Sequence, residues 1–515
     1  MPGLETNARP WPNRVPRAPW QRAFAAGGDA VPEATERARA QALARDAGQE
    51  AARHRVVTLV LLVYLLVIVE GALRKWVLPQ YSQYLFFLRD PVLLLIYAIA
   101  TRHGLWPRGS LFLRLAWAWA VLGMLLFVVQ AAAGGSSEHR LLLGVYGWRA
   151  YFLYMPLAFL VGAVFRREDL LRLFRWTLLL AVPIAVLVTL QFFSAPGAPI
   201  NVGTAAEEEQ QFRGLGLNAE RTRPMGPFAS GAGQQQFVAT ACAVVLAFFI
   251  APRGVAQPAL ALLALASGAV LTCIALSGSR GTVLQCALAL LFALLVGVFG
   301  RGGAVKSRAW IWPMVLGVAA VALYPLLFPE GFSAFSQRWE VADAAESRSF
   351  EFGVFGRAMY GLVDFLRLVD QVPFFGYGLG YGGNAAITLG VSVDGINPGK
   401  LAETDFSRHM VDLGPLVGLL YIAFRLSLTG WLIALAMRAT RRSPDPMPML
   451  LLSYVAYVLV LGQITGQGAI NAYGWLFAGL LIAACRAAAA PAPSPTRGTG
   501  PTARQRTTFS YRTSR

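Results

Sequence analysis

The chain has 515 residues, a mean hydropathy of +0.52, 14% charged residues and a formal net charge of +18. That hydropathy excludes a soluble globular protein, and the layout of the charge excludes a nucleic-acid binder. Basic residues sit in the two tails and in alternate short connections, with no Lys/Arg stripe interleaved with aromatics.

Residues 1–54 are polar and rich in Pro, Ala and Arg. The charged start is not followed by a short apolar core and a cleavage site, so no cleavable signal peptide is expected. Positions 33–55 have the composition of an amphipathic helix leading into the first span, and the rest of this tail reads as disordered. From 55 to 328, apolar runs of membrane-spanning length alternate with short connections, and lipid forces such runs into helices. Spans are expected at about 56–73, 84–101, 112–131, 142–165, 170–192, 236–252, 257–276, 282–300, 309–328, 411–437, 448–466 and 470–486. The fold class is therefore all-α: a polytopic membrane protein of about 12 transmembrane helices with one long extracytoplasmic loop, 329–410. The last spans occupy 411–486, and 487–515 form a basic, disordered tail.

The connections set the orientation. Arg102/Arg108/Arg114, Arg166/Arg167/Arg172/Arg175, Arg301/Lys306/Arg308 and Arg438/Arg441/Arg442 fall in every second connection, together with the basic C-terminal tail. This side is expected to be cytoplasmic, with both termini on it, in a bacterial inner membrane. Glu70, Arg74, Arg89, Asp90, Arg149 and Arg425 lie in or near spans, where charges pair with one another or face a polar interior. The four cysteines fall in apolar runs and the four histidines are scattered. No disulfide framework, metal site or cofactor is expected.

Four outer-side features carry chemistry. Ser277-Gly278-Ser279-Arg280-Gly281 places an arginine among small residues where a span opens, a pattern suited to gripping an anion. The loop 193–235 holds Arg213, Arg221 and Arg223, against the positive-inside tendency. In the long loop, Val354, Phe355, Ala358, Leu362, Phe365, Leu366 and Val369 form an apolar helical stripe. Arg357, Tyr360, Asp364, Arg367 and Gln371 form a polar one, so the segment reads as an amphipathic helix on the membrane surface or over the bundle. Gly378 to Gly383 formally match a dinucleotide-binding glycine pattern, but no βαβ unit surrounds them, and close backbone approach is the better account. Finally Glu403, Asp405, Arg408 and His409 precede the tenth span, where a carboxylate can serve as a general base.

Three of these stretches together resemble the O-antigen ligase / O-antigen polymerase (Wzy-type) superfamily over about residues 210–430. They are the Ser279-Arg280-Gly281 turn, the run from Pro373 to Gly380, and the run from Glu403 through Asp412 and Gly414 to Gly418. The resemblance implies metal-independent glycosyl transfer from an undecaprenyl-diphosphate-linked glycan at the outer face of the inner membrane. Membrane lipid and other polysaccharide-assembly proteins are the implied partners, and nucleic acid is not one. It gives Arg280 the diphosphate, with Arg213 or Arg223 sharing it and Arg348 or Arg357 joining from the long loop. Ligases of the superfamily read His-Asn eleven residues before the glycine matching Gly414. Here Glu403-Thr404 stand there, and His409 lies off the motif as a secondary candidate. The glutamate favours an exopolysaccharide polymerase-like branch, with Glu403 activating the attacking hydroxyl. A ligase, a transporter of lipid-linked oligosaccharide and a non-catalytic scaffold are the alternatives.

Overall fold

The structure is a computed structural model, and it describes residues 33–489 apart from 135–137, 205–213, 216–220, 252–256, 300–310, 350–352, 384, 387–390 and 394. The chain divides into two units, Met1–Ala52 and Arg53–Arg515. Helix α1, Glu33–Ala72, begins in the first and ends in the second, where a π-helical turn, Leu73–Val77, extends it. The helix expected over 33–55 is thus continuous with the first span. The disordered tails expected at either end lie outside the described residues, save 33–54 and 487–489.

The second unit is almost wholly helical. Its helices are α2 (Asp90–Arg102), α3 (Leu111–Gly134), α4 (Glu138–Trp148), α5 (Met155–Val164), α6 (Arg167–Phe193), α7 (Gly231–Ile250), α8 (Leu260–Leu276), α9 (Arg280–Phe299) and α10 (Ile311–Leu327). They continue with α11 (Pro329–Ser349), α12 (Gly353–Val363), α13 (Asp405–Leu413), α14 (Pro415–Arg442), α15 (Met447–Val460) and α16 (Gly468–Ala489). Gly214–Leu215 and Arg221–Thr222 pair as a two-stranded antiparallel ribbon, Gly214 opposite Thr222. Among the described residues, nine helices are long and apolar enough to cross a membrane.

The bundle has an inner and an outer layer. Helices α5, α7, α15 and α16 are buried nearly all round, because apolar side chains occupy every face. Small residues set the closest approach: a Cβ on Gly479 would lie 2.7 Å from the Ala158 carbonyl, and one on Gly162 2.6 Å from Ile482. Helices α3, α8, α9 and α14 are peripheral and keep large apolar side chains exposed, among them Val121, Leu125, Leu265, Leu284 and Leu420. Such a surface suits lipid rather than water.

Two distinct ends result. At one, Arg53 donates to Asp169 (2.6 Å) and to the Val164 carbonyl (3.1 Å), and Arg167 pairs with Asp445 (3.3 Å). At the other, Lys75 Nζ donates to the Gly226 carbonyl (2.9 Å) and Arg89 to the Gly468 carbonyl (3.3 Å). The expected tenth span, 411–437, is corrected by the backbone. Asp412 and Leu413 end α13, Gly414 breaks the helix with φ +83°, and Pro415 starts α14. The eleventh likewise stops at Val460 instead of 466, and Gly462 to Gln467 form a separate turn.

A candidate functional site at the Glu403 end

Arg280 is the first residue of α9. Gly278 turns the chain at φ +55°, and the Ser279 hydroxyl accepts from the Thr282 N–H (3.3 Å), capping the helix. Ser279 also donates to Gln235 Oε1 (3.4 Å), and a Cβ on Gly281 would meet the same Gln235 amide at 2.7 Å. The Arg280 guanidinium lies 5.6 Å from the Trp339 ring centroid on α11. Arg223 reaches the neighbouring turn of α7, its Nε 3.4 Å from where a Cβ on Gly231 would stand. Gly231 and Gln235 are one helical turn apart, so Arg223 and the Ser279–Gly281 turn both approach the first turn of α7.

The other candidate arginines are not brought into this picture. Arg213 lies outside the described residues. Arg348 falls on α11 and Arg357 on α12, but their side chains are outside the described residues. Arg221 pairs with Glu330.

Glu403 is exposed at the threshold of α13. Thr404 caps that helix in a reciprocal box: Ser407 N–H donates to Thr404 Oγ1 (3.2 Å), and Thr404 N–H to Ser407 Oγ (2.9 Å). The Gln463 amide, in the turn between α15 and α16, donates to the Glu403 carbonyl at 3.4 Å. Tyr360 on α12 stands near enough to feel the Glu403 charge; burial first, then Asp364, raise its phenol above the usual value. Arg367, in the 3₁₀ turn Asp364–Leu368 that follows α12, pairs with Asp364 and donates to the Leu401 carbonyl (2.9 Å), so this turn is tied to the stretch of chain carrying Glu403.

Behind this surface lies a charged network that the sequence reading did not assemble. Asp405, Arg408, His409 and Asp412 recur at helical spacing along α13 and are all buried. Asp405 accepts from Arg425 Nη1 (2.5 Å), Arg408 Nη1 (3.0 Å), the Thr465 hydroxyl (2.7 Å) and the Thr465 N–H (3.1 Å). Burial pushes its carboxyl up, but the charges of Arg425 and Arg408 and the Thr465 hydrogen bond outweigh burial and hold it below the ordinary carboxylate value.

His409 is fully buried, 4.8 Å from the Tyr421 ring centroid and 5.2 Å from that of Tyr151. Arg425 Nη1 stands 2.6 Å from its Nε2. A guanidinium only donates, so Nε2 accepts and the proton sits on Nδ1. Nδ1–H then donates to Tyr151 Oη (2.9 Å), Tyr151 donates to Asp412 Oδ2 (3.0 Å), and Asp412 Oδ1 accepts the Gly382 N–H (2.6 Å). The hydrogen bonds thus run in one direction from Arg425 to Asp412, which the Gly382 N–H of the glycine loop meets from the other side. Burial drives the imidazole well below its ordinary value, with Arg425 and Arg408 adding to the effect against Asp405. The secondary candidate is therefore a neutral, enclosed ring and is not presented where Glu403 is.

The span charges are likewise paired. Glu70 takes Arg74 (3.3 Å) and Arg89 (2.8 Å), and Asp90 takes Arg149 and the Tyr154 hydroxyl (2.9 Å). The glycine run is a clasp, as close backbone approach implied. Gly376 and Gly380 have φ +74° and +85°; a Cβ on Gly380 would lie 2.4 Å from the Leu143 carbonyl. Gln130 at the end of α3 fastens the run, donating to the carbonyls of Phe375 (2.7 Å) and Asp412 (2.9 Å) and accepting the Leu379 N–H (3.0 Å).

The fold and site define a polytopic helical bundle with one chemically elaborated end. No protein-family model matches the chain, and no curated protein matches it. Among the described residues, no three His, Cys, Asp or Glu side chains converge as a metal site would require. What the end offers is an exposed carboxylate just before a capped helix, an arginine that opens α9 and another against the first turn of α7.

Proposed function

We propose that the protein is a metal-independent membrane glycosyltransferase of bacterial surface-polysaccharide assembly, which polymerises repeat units carried on undecaprenyl diphosphate. Arg280 and Arg223 hold the donor diphosphate and stabilise the charge that develops as it leaves. Glu403 takes the proton from the attacking sugar hydroxyl. Arg213, Arg348 and Arg357 are further diphosphate ligands in this reading. The single observation that supports it is the approach of Arg223 and of the Ser279–Gly281 turn, which opens α9 with Arg280, to the first turn of α7.

In this reading the Glu403 end faces outward and the Arg53 end the cytoplasm, with both termini. The three shorter apolar helices, α8, α10 and α15, also cross, which makes the count twelve. The test is complementation of a deletion strain, with carrier-linked glycans extracted and sized. Arg280→Ala and Glu403→Gln should each leave single unpolymerised repeats outside the cell, at normal protein level. Wild-type chain length with both variants rejects the proposal. Full-length polymer left on its carrier in the deletion strain marks a ligase, and repeats retained inside mark a transporter.

A further inference from the structure

The long connection between α10 and α14 carries two exposed apolar features at the Glu403 end. One is a helical stripe. Met359, Val363 and Leu366, at i, i+4 and i+7, are 46%, 47% and 57% exposed. The same segment is already anchored on its other side: Leu362, Phe365 and Leu368 pack with Phe406, Met410, Val411 and Ile422 of α13 and α14. The second feature is Phe374–Phe375, 62% and 52% exposed, their rings edge-to-face at 5.0 Å. This pair is held in place by its backbone. Gln130 bonds the Phe375 carbonyl at 2.7 Å, and the Phe374 carbonyl abuts Gly414 so closely that a Cβ there would lie 2.1 Å away.

A soluble surface buries such residues, so two apolar faces on one short element call for an apolar medium on one of them. The neighbours identify that medium. Val128 and Val129 on α3 adjoin Gln130, and Leu416 and Leu419 on α14 adjoin Gly414; all four are exposed and belong to faces of membrane-spanning helices. Phe374–Phe375 stand between these faces. We propose that the segment from Met359 to Phe375 is an interfacial plate, with Met359, Val363, Leu366, Phe374 and Phe375 inserted among the acyl chains and headgroups of the leaflet at the Glu403 end. Phenylalanine and leucine are the residues of the inserted face of an interfacial helix, and such a helix presents its other face to the protein. The long connection is then a membrane-seated platform that fixes the height of Glu403 above the lipid, so that a lipid-linked substrate arrives at a set depth. The insertion rests on the membrane-spanning helices alone and holds or fails independently of glycosyl transfer.

The experiment is site-directed spin labelling in vesicles of phosphatidylethanolamine and phosphatidylglycerol. Nitroxides are placed at Leu366→Cys and Phe375→Cys of the full chain, with Leu125→Cys on α3 as the lipid reference and Lys400→Cys as the aqueous one. The four native thiols are buried; should their replacement by alanine prevent folding, the labels go onto the native background. Collisional relaxation by oxygen and by a neutral nickel chelate is compared. Insertion gives an oxygen-to-nickel ratio at 366 and 375 several-fold above that at 400 and approaching that at 125. Ratios equal to Lys400 mean open water and overturn the proposal. Labels inaccessible to both reagents mean a protein partner or a second copy covers the plate, and overturn it as well.

Discussion

Arg425 shows how a single side chain fixes others. It is fully buried and donates to Asp405, to His409 Nε2 and to the Leu459 carbonyl (2.7 Å). A buried ion pair adds little over an apolar isostere, but removing one partner strands the other. Arg425→Ala should therefore destabilise by about 3–5 kcal/mol, read as a fall in the thermal midpoint in detergent. Arg425→Lys should recover only part of the loss, because an ammonium cannot span three acceptors in a plane as a guanidinium does. Asp412 gives the pH counterpart. Burial first, against the Gly382 N–H, Arg408 and Tyr151, raises its carboxyl to about 7. The folded chain then binds a proton that the unfolded chain, at the ordinary carboxyl value of 3.8, has released. The contribution is complete below that lower value and is lost as pH rises through about 7. Stability should fall between pH 5 and pH 7.5 and level off above, and Asp412→Asn should flatten the profile. An unchanged slope in the variant would assign the titration elsewhere.

At the scale of elements, helix breaks carry the site, and they are where sequence reading and structure part. The long spans were legible because an apolar run has one way to satisfy its backbone in lipid. The break at Gly414 was not, since apolar residues flank it on both sides and only the positive φ and the contact with Phe374 reveal it. The same holds for α12. Leu362, Phe365 and Leu366 were grouped on one face, whereas the turn after Val363 tightens to a 3₁₀ helix, burying Leu362 and Phe365 against α13 and leaving Leu366 outside. Gly414→Ala tests the break. The positive-φ, extended backbone at Gly414, a region essentially confined to glycine, alone costs about 1–3 kcal/mol, and the clash with the Phe374 carbonyl adds to it. Gly430→Ala, whose Cβ would meet nothing within 4 Å, should leave the thermal midpoint unchanged or higher. Equal losses at both positions would mean that the break is not maintained by Gly414.

Over the whole molecule, the alternation of basic and neutral connections made the expectation of Glu403, Arg223 and Arg280 on one side of the membrane legible. Their supports were not: His409 and Tyr151 are 258 positions apart, and Asp412 and Tyr151 261. The polar spacing of Asp405, Arg408, His409 and Asp412 was visible, but a polar face on a helix points to partners without naming them. The two ends also make the orientation testable apart from any activity. Lys400 is exposed at the Glu403 end and Arg441 is exposed at the last turn of α14, beyond the opposite end of the bundle. In intact cells with a permeabilised outer envelope, a membrane-impermeant maleimide should modify Lys400→Cys at once. It should reach Arg441→Cys only after the inner membrane is opened, because arginine-rich connections are retained in the cytoplasm. The reverse pattern would leave the bundle and its buried network intact but turn Glu403 inward. A carboxylate there could not meet a glycan already outside the membrane, so the proposed reaction would fail on orientation alone, before any residue was tested for chemistry.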